Sequence, residues 1–156
     1  MSTSKQLANH IHQVYFGGNW TTVNLKDTLT DVSLETAKTK IEGFNTILAL
    51  TFHIHYYLKG ITKVLEGGAL EIKDKFSYQH PELRSSAEWD NLLERIWDEA
   101  EEFSVLISKF PDSKWDSHFT EEKYGNYFRN ILGLIEHTHY HLGQIVILKK
   151  LISKSF

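Results

Sequence analysis

A chain of 156 residues, 41% apolar and 13% aromatic, suits one domain with its own core, expected to span residues 1–156. A formal net charge of −3, with the lysines scattered along the chain, leaves no electrostatic footprint for nucleic acid or an anionic lipid surface. The absence of cysteine excludes a disulfide framework, a thiolate metal site and a thiol nucleophile of the protein's own, so any metal must be held by His, Asp or Glu.

The opening Met1-Ser2-Thr3-Ser4-Lys5-Gln6 lacks a secretory apolar region, and no apolar run approaches the roughly 20 residues that span a bilayer. The expectation is a cytoplasmic protein with no membrane partner. Residues Ser4 to Phe16 read as a first helix with Leu7, Ile11, Val14 and Tyr15 on one side, ended by Gly17-Gly18. His10 lies beside Leu7 and Val14 but reads as a boundary residue. In the turn that follows, Trp20 is expected to anchor Asn19-Trp20-Thr21-Thr22, and Asn24 and Ser33 are suitable caps for two short helical segments.

Asn45 is expected to cap a stronger helix from Thr46 to about Glu66, closed by Gly67-Gly68. Along it, Leu50, Tyr57, Ile61 and Val64 fall within about 80° of His53, which places His53 at the inward edge of the apolar face. His55 is about 200° from His53, toward Lys59 and Lys63, and is expected to face outward. Residues Ala69 to Arg84 mix Phe76 and Tyr78 with charges and read as a long ordered loop, of the kind that acts as a lid or is pinned by aromatics.

Ser85-Ser86-Ala87-Glu88 is a capping box opening a third long helix to about Phe110, with Leu92, Leu93, Ile96, Ala100, Phe103, Leu106 and Ile107 as its buried stripe. Its acidic residues Glu94, Asp98, Glu99, Glu101 and Glu102 read as a solvated face. Trp115, Phe119 and Tyr124 are expected to fix the return segment Asp112–Gly125, while His80 and His118 read as surface loop residues. Four long helices without strand alternation predict an all-α four-helix bundle with long crossover loops.

The last helix, Tyr127 to about Leu151, carries Ile135-Glu136-His137-Thr138-His139-Tyr140-His141-Leu142-Gly143-Gln144-Ile145. His137 and His141 lie one turn apart on the core face, flanked by Leu134, Ile145 and Leu148, whereas His139 points roughly 160–200° away. Two neutral imidazoles buried at i and i+4 rarely satisfy all four ring nitrogens with protein partners, and one divalent ion resolves the problem. The pair alone reads equally as a metal site or a buried polar patch, and His53 from the other helix supplies the third inward imidazole. Thr138 stands where the H-E-x-x-H protease motif needs its general base. A di-iron site needs Glu-x-x-His on two helices, and Glu136-x-x-His139 is the only such pair. No Gly-x-Ser-x-Gly elbow is present either.

Gln144 shares the face of the pair, where it is able to orient a ligating histidine or a substrate, or simply to pack as a helix amide. Tyr57, one turn beyond His53, is a similar candidate. No catalytic residue is assigned, since no inward carboxylate stands out as a general base.

His53 in one helix and His137-x-x-x-His141-Leu-Gly-Gln-Ile in another resemble the metal-binding pattern of the DinB/YfiT-like superfamily. Gly17-Gly18-Asn19-Trp20, His53-Ile54-His55-Tyr56-Tyr57 and Tyr124-Gly125-Asn126-Tyr127 are also similar to a branch of its small members. The resemblance implies a four-helix protein with a divalent ion (zinc, nickel, iron or manganese) on His53, His137 and His141, a small-molecule substrate at the open metal face, and a homodimer. Family members include S-transferases that use low-molecular-weight thiols, and isomerases. That chemistry is the leading expectation; a metal-dependent hydrolase and a non-catalytic metal-bound protein are the alternatives.

Overall fold

A computed structural model describes residues 1–154; residues 155–156 of the expected domain lie outside it. Its elements are α1 (Thr3–Phe16), α2 (Leu25–Leu29), α3 (Leu34–Lys38), α4 (Ile47–Leu65), α5 (Ser86–Lys109) and α6 (Tyr127–Lys154), with single 3-10 turns at Asp74–Phe76, Asp112–Lys114 and Glu122–Tyr124. The described residues contain no strand, only an isolated bridge between His118 and Asn126. No helix among them is long and apolar enough to cross a membrane.

Local chemistry sets the helix starts. The side chains of Ser2, Asn24, Ser33, Thr46 and Ser85 each accept the backbone N–H three residues on, and Glu88 reciprocates at Ser85 to complete the capping box. The expected cap Asn45 is corrected to Thr46, whose extended backbone and Oγ1, 3.1 Å from Ala49 N, put the capping oxygen one residue later. Trp20 is not an anchor: it is 100% exposed. The turn is held instead by Asn19, whose Nδ2 donates to the carbonyls of Gln13 at 2.9 Å and Val23 at 2.7 Å. Tyr124 likewise stays exposed, leaving Trp115 and Phe119 buried as the pins of the return segment.

Four contacts fix the directions of the long helices. Ser4 Oγ donates to Phe110 O at 2.5 Å and His12 Nε2 meets Glu101 at 3.1 Å, so α1 and α5 are antiparallel. Trp115 Nε1 donates to Ser4 Oγ at 2.9 Å, and Phe128 N donates to Trp115 O at 3.1 Å, which starts α6 beside the start of α1. After α4, the connection retraces that helix: Ile72 seats on Gly60, the Lys73 backbone bonds Tyr56 Oη, His80 meets Phe52 edge-on, and Leu83 O accepts from Lys38. The chain has then returned to the beginning of α4, so α5 runs parallel to it. Gly60 is required at that crossing, because an added Cβ would sit 2.3 Å from Ile72 Cγ1. The glycine's helix-propensity cost of about 1 kcal/mol is offset by the packing of the connection.

The apolar stripes meet in one core. Ile131, Leu134, Ile135, Leu142, Ile145, Leu148 and Ile152 of α6 are all buried, as are Leu92, Leu93, Ile96, Ala100, Phe103 and Ile107 of α5; Leu106 is only half-buried. Each fully buried side chain of this size contributes about 1.5–3 kcal/mol, enough for the bundle to stand on packing alone. Trp89 is 1% exposed, and its Nε1 donates to Val32 O at 2.7 Å, which ties the start of α5 to the segment before α3. Trp89→Phe leaves that carbonyl unpaired and opens a small cavity. It is expected to lower the unfolding free energy by about 2–4 kcal/mol in urea titration, with an unchanged m-value.

Candidate metal centre

α4 and α6 face each other across the core, and the facing turns bring His53, His137 and His141 together. His53 Nε2 lies 2.9 Å from His137 Nε2. The ring of His141 is 4.6 Å from His53 and 4.5 Å from His137, centroid to centroid. One nitrogen from each imidazole falls within 4.8 Å of the other two. His53 and His141 are buried and His137 is half-buried, so the cluster opens on the His137 side.

Neighbouring side chains hold these rings. Gln144 Oε1 is 2.7 Å from His141 Nδ1; an amide oxygen only accepts, so Nδ1 carries the proton and Nε2 presents its lone pair to the cluster. Tyr57 packs edge-on to His53 at 5.0 Å and tilted to His137 at 4.7 Å, and its hydroxyl donates to Asp74. Tyr78 stacks on His53 with centroids 4.1 Å apart and planes 9° from parallel. Tyr140 covers the other flank, 4.9 Å from His141, and is mostly exposed. The 69–84 connection therefore supplies two components of the centre, Asp74 and Tyr78, that helical periodicity does not reveal; Tyr78 among charges is the one visible sign.

The environment keeps the imidazoles neutral. Burial pushes His53 and His137 down to about 4, with the neighbouring histidines adding to the effect and Asp74 opposing it. Burial also lowers His141, against the hydrogen bond it donates to Gln144. His53 Nδ1 and His137 Nδ1 are buried without a hydrogen bond, although the Ser77 carbonyl is close enough to raise proton affinity at His53.

The remaining histidines sort differently from expectation in one case. His55 does not face solvent: it is 4% exposed, buried against α5, with Nε2 3.0 Å from Glu99 Oε2. α4 is flanked by both α5 and α6, so the side opposite His53 is also interior. Glu99 is correspondingly no part of a solvated face and also meets Lys59 at 3.5 Å. His139 is half-buried near His10, which is itself exposed; His118 is exposed, and His80 is half-buried against Phe52.

The cluster fits a divalent ion. Two Nε2 atoms on one ion with bonds of about 2.0–2.1 Å stand roughly 3.0–3.4 Å apart, close to the separation of His53 and His137. Two neutral imidazoles meeting nitrogen to nitrogen share only one hydrogen bond, whereas an ion uses every lone pair directed at it. A family profile described as the DinB superfamily matches residues 19–145. No curated protein and no solved structure matches the chain.

The depressed imidazoles give the metal-free protein a pH dependence of definite sign. In the unfolded chain these rings take up protons near 6.5, whereas in the fold His53 and His137 stay neutral down to about 4. The unfolded state then binds more protons between those values, so stability falls as pH drops through that window. Thermal melts in chelator are expected to show a lower Tm at pH 4.5 than at pH 7, with a smaller difference in His137→Gln.

Proposed function

The chain belongs to the DinB superfamily, and from this premise we propose that His53, His137 and His141 hold one divalent ion, zinc, nickel, iron or manganese, for chemistry on a small molecule. The leading reaction class is S-transfer or isomerisation dependent on a low-molecular-weight thiol. One observation carries this reading: two helices converge three neutral imidazoles on one point, with no carboxylate among the described residues joining the cluster. When bound, the ion supplies Lewis acidity, because three neutral ligands leave its charge uncancelled and lower the pKa of a thiol or water beside it.

The chain's own residues position the participants. Gln144 fixes the tautomer and ring plane of His141. Asp74 holds the Tyr57 hydroxyl at the edge of the cluster, and burial together with Asp74 raises that phenol, so it remains a protonated hydrogen-bond donor at neutral pH. Tyr78 closes one side over His53 and leaves the His137 side for a substrate. With no cysteine in the sequence, the thiol must arrive as a cosubstrate. The reading extends to a cytoplasmic homodimer acting on a small molecule, with neither nucleic acid nor membrane as partner.

Ligand identity is tested by elemental analysis of protein purified without a metal-binding tag. One equivalent of metal is expected in the parent and in His139→Ala, and essentially none in His53→Ala, His137→Ala or His141→Ala. Full occupancy in His53→Ala would remove that residue from the site.

The chemistry is tested on the cobalt-substituted protein with glutathione, bacillithiol, coenzyme A and cysteine. One of these thiols is expected to shift the visible spectrum and to add faster to a chlorobimane dye, and His141→Ala is expected to lose both effects. A spectrum that none of the four perturbs rejects the thiol reading, and hydrolysis without thiol would replace it.

A further inference from the structure

The outward face of α6 is apolar where a surface helix is ordinarily polar. Phe128, Leu132, Tyr140, Ile147 and Leu151 stand 39%, 38%, 65%, 55% and 40% exposed, on the side of the helix away from its buried stripe. Steps of four residues join Phe128 to Leu132 and Glu136, and Gly143 to Ile147 and Leu151, so all six lie on one stripe that winds slowly about the helix. Gly143, in the middle of that stripe, is exposed, and a Cβ added there would meet nothing within 4 Å. Glycine is among the poorest residues inside a helix. Unlike Gly60, this one has no neighbour in its own chain that calls for it. Glu136, on the same stripe, forms no ion pair with a described residue.

The stripe is self-complementary. A two-fold axis crossing α6 between His139 and Tyr140 carries Glu136 onto Gly143, Leu132 onto Ile147 and Phe128 onto Leu151. An antiparallel pair of α6 helices about that axis therefore sets apolar side chains opposite apolar ones, and sets the one acidic side chain of the stripe opposite a glycine. Rows of residues four apart, packed into their equivalents, cross at about −50°, and a glycine at the crossing lets the backbones close. With side chains of about 200 Å² each when fully exposed, the exposed fractions amount to roughly 500 Å² of apolar surface per copy. A standard interface takes about 800 Å² from each partner, a little over half of it apolar, and the stripe supplies that share.

We propose that α6 pairs with α6 of a second copy of this chain across that axis, so that the homodimer is built on the helix that carries His137 and His141. The space left at Gly143 admits Glu136 of the second copy, whose carboxylate turns toward His139 across the interface. Tyr140 lies edge-on to His141, so the pairing packs the flank of each metal centre against the other copy. The inference rests on the homodimer reading above, and on neither the metal nor its chemistry.

Sedimentation equilibrium of the full chain is expected to give twice its 18.1 kDa. Ile147→Glu places a charge on each side of the axis and is expected to weaken the dimer about a hundredfold, tenfold for each copy of the substitution. Val105→Glu, at a similarly exposed apolar residue of α5, is expected to leave it unchanged. Gly143→Leu fills only open space in its own chain and improves the helix, so it is expected to dissociate the dimer while raising the melting temperature of the monomer. Because the chain has no cysteine, Tyr140→Cys supplies a single thiol beside the axis, and mild oxidation is expected to link two chains through it but not through Val105→Cys. A monomeric parent overturns both this inference and the homodimer reading. A dimer that survives Ile147→Glu and Gly143→Leu, or that links through Val105→Cys and not Tyr140→Cys, keeps the homodimer and overturns the inference. Metal content is measured separately, so the metal centre stands or falls on its own.

Discussion

The centre depends on desolvation. Three imidazoles set into the seam between α4 and α6 lose their water; burial lowers all three and holds His53 and His137 neutral down to about 4. A charged cluster at this spacing would push α4 from α6. A neutral one leaves lone pairs directed at a common point, which is the condition for holding a cation. The helices bring the rings together through apolar packing on either side, so the polar site rests on the core rather than on its own interactions.

The second constraint is the connection between two parallel helices. Because α5 starts where α4 starts, the chain after Glu66 must travel back along α4, and it does so in contact with it. That path puts Asp74 and Tyr78 beside the three histidines and Ile72 and Pro81 beside His55. α4 is thus interior on two sides: His53 serves the α6 seam and His55 the α5 groove, though only one residue separates them. Gly60 permits this arrangement, since a larger residue would displace Ile72.

Much of the architecture was legible in the sequence because its causes are local. The caps at Asn24, Ser33 and Ser85 act within three residues, and the stripes of α5 and α6 follow from helical period, so the long helices and most of their buried faces can be read directly. The candidate histidines were legible for the same reason: His137 and His141 share a face by spacing alone, and His53 borders the apolar arc of its own helix. The superfamily match accords with that pattern.

What the sequence could not supply depends on which element lies next to which. His55 was read as outward because period defines one apolar face per helix, whereas α4 has neighbours on two sides and its charged-looking edge is filled by Glu99. Trp20 carries the signature of an anchor but meets nothing, since Asn19 already ties the turn to the end of α1. Asp74 and Tyr78 belong to a segment with no period at all, and their place beside the histidines follows from the return path of the chain. Local hydrogen bonding and periodicity determined the helices and the inward histidines; the tertiary structure alone decided what surrounds them, because contacts between distant segments are fixed by packing and chain path.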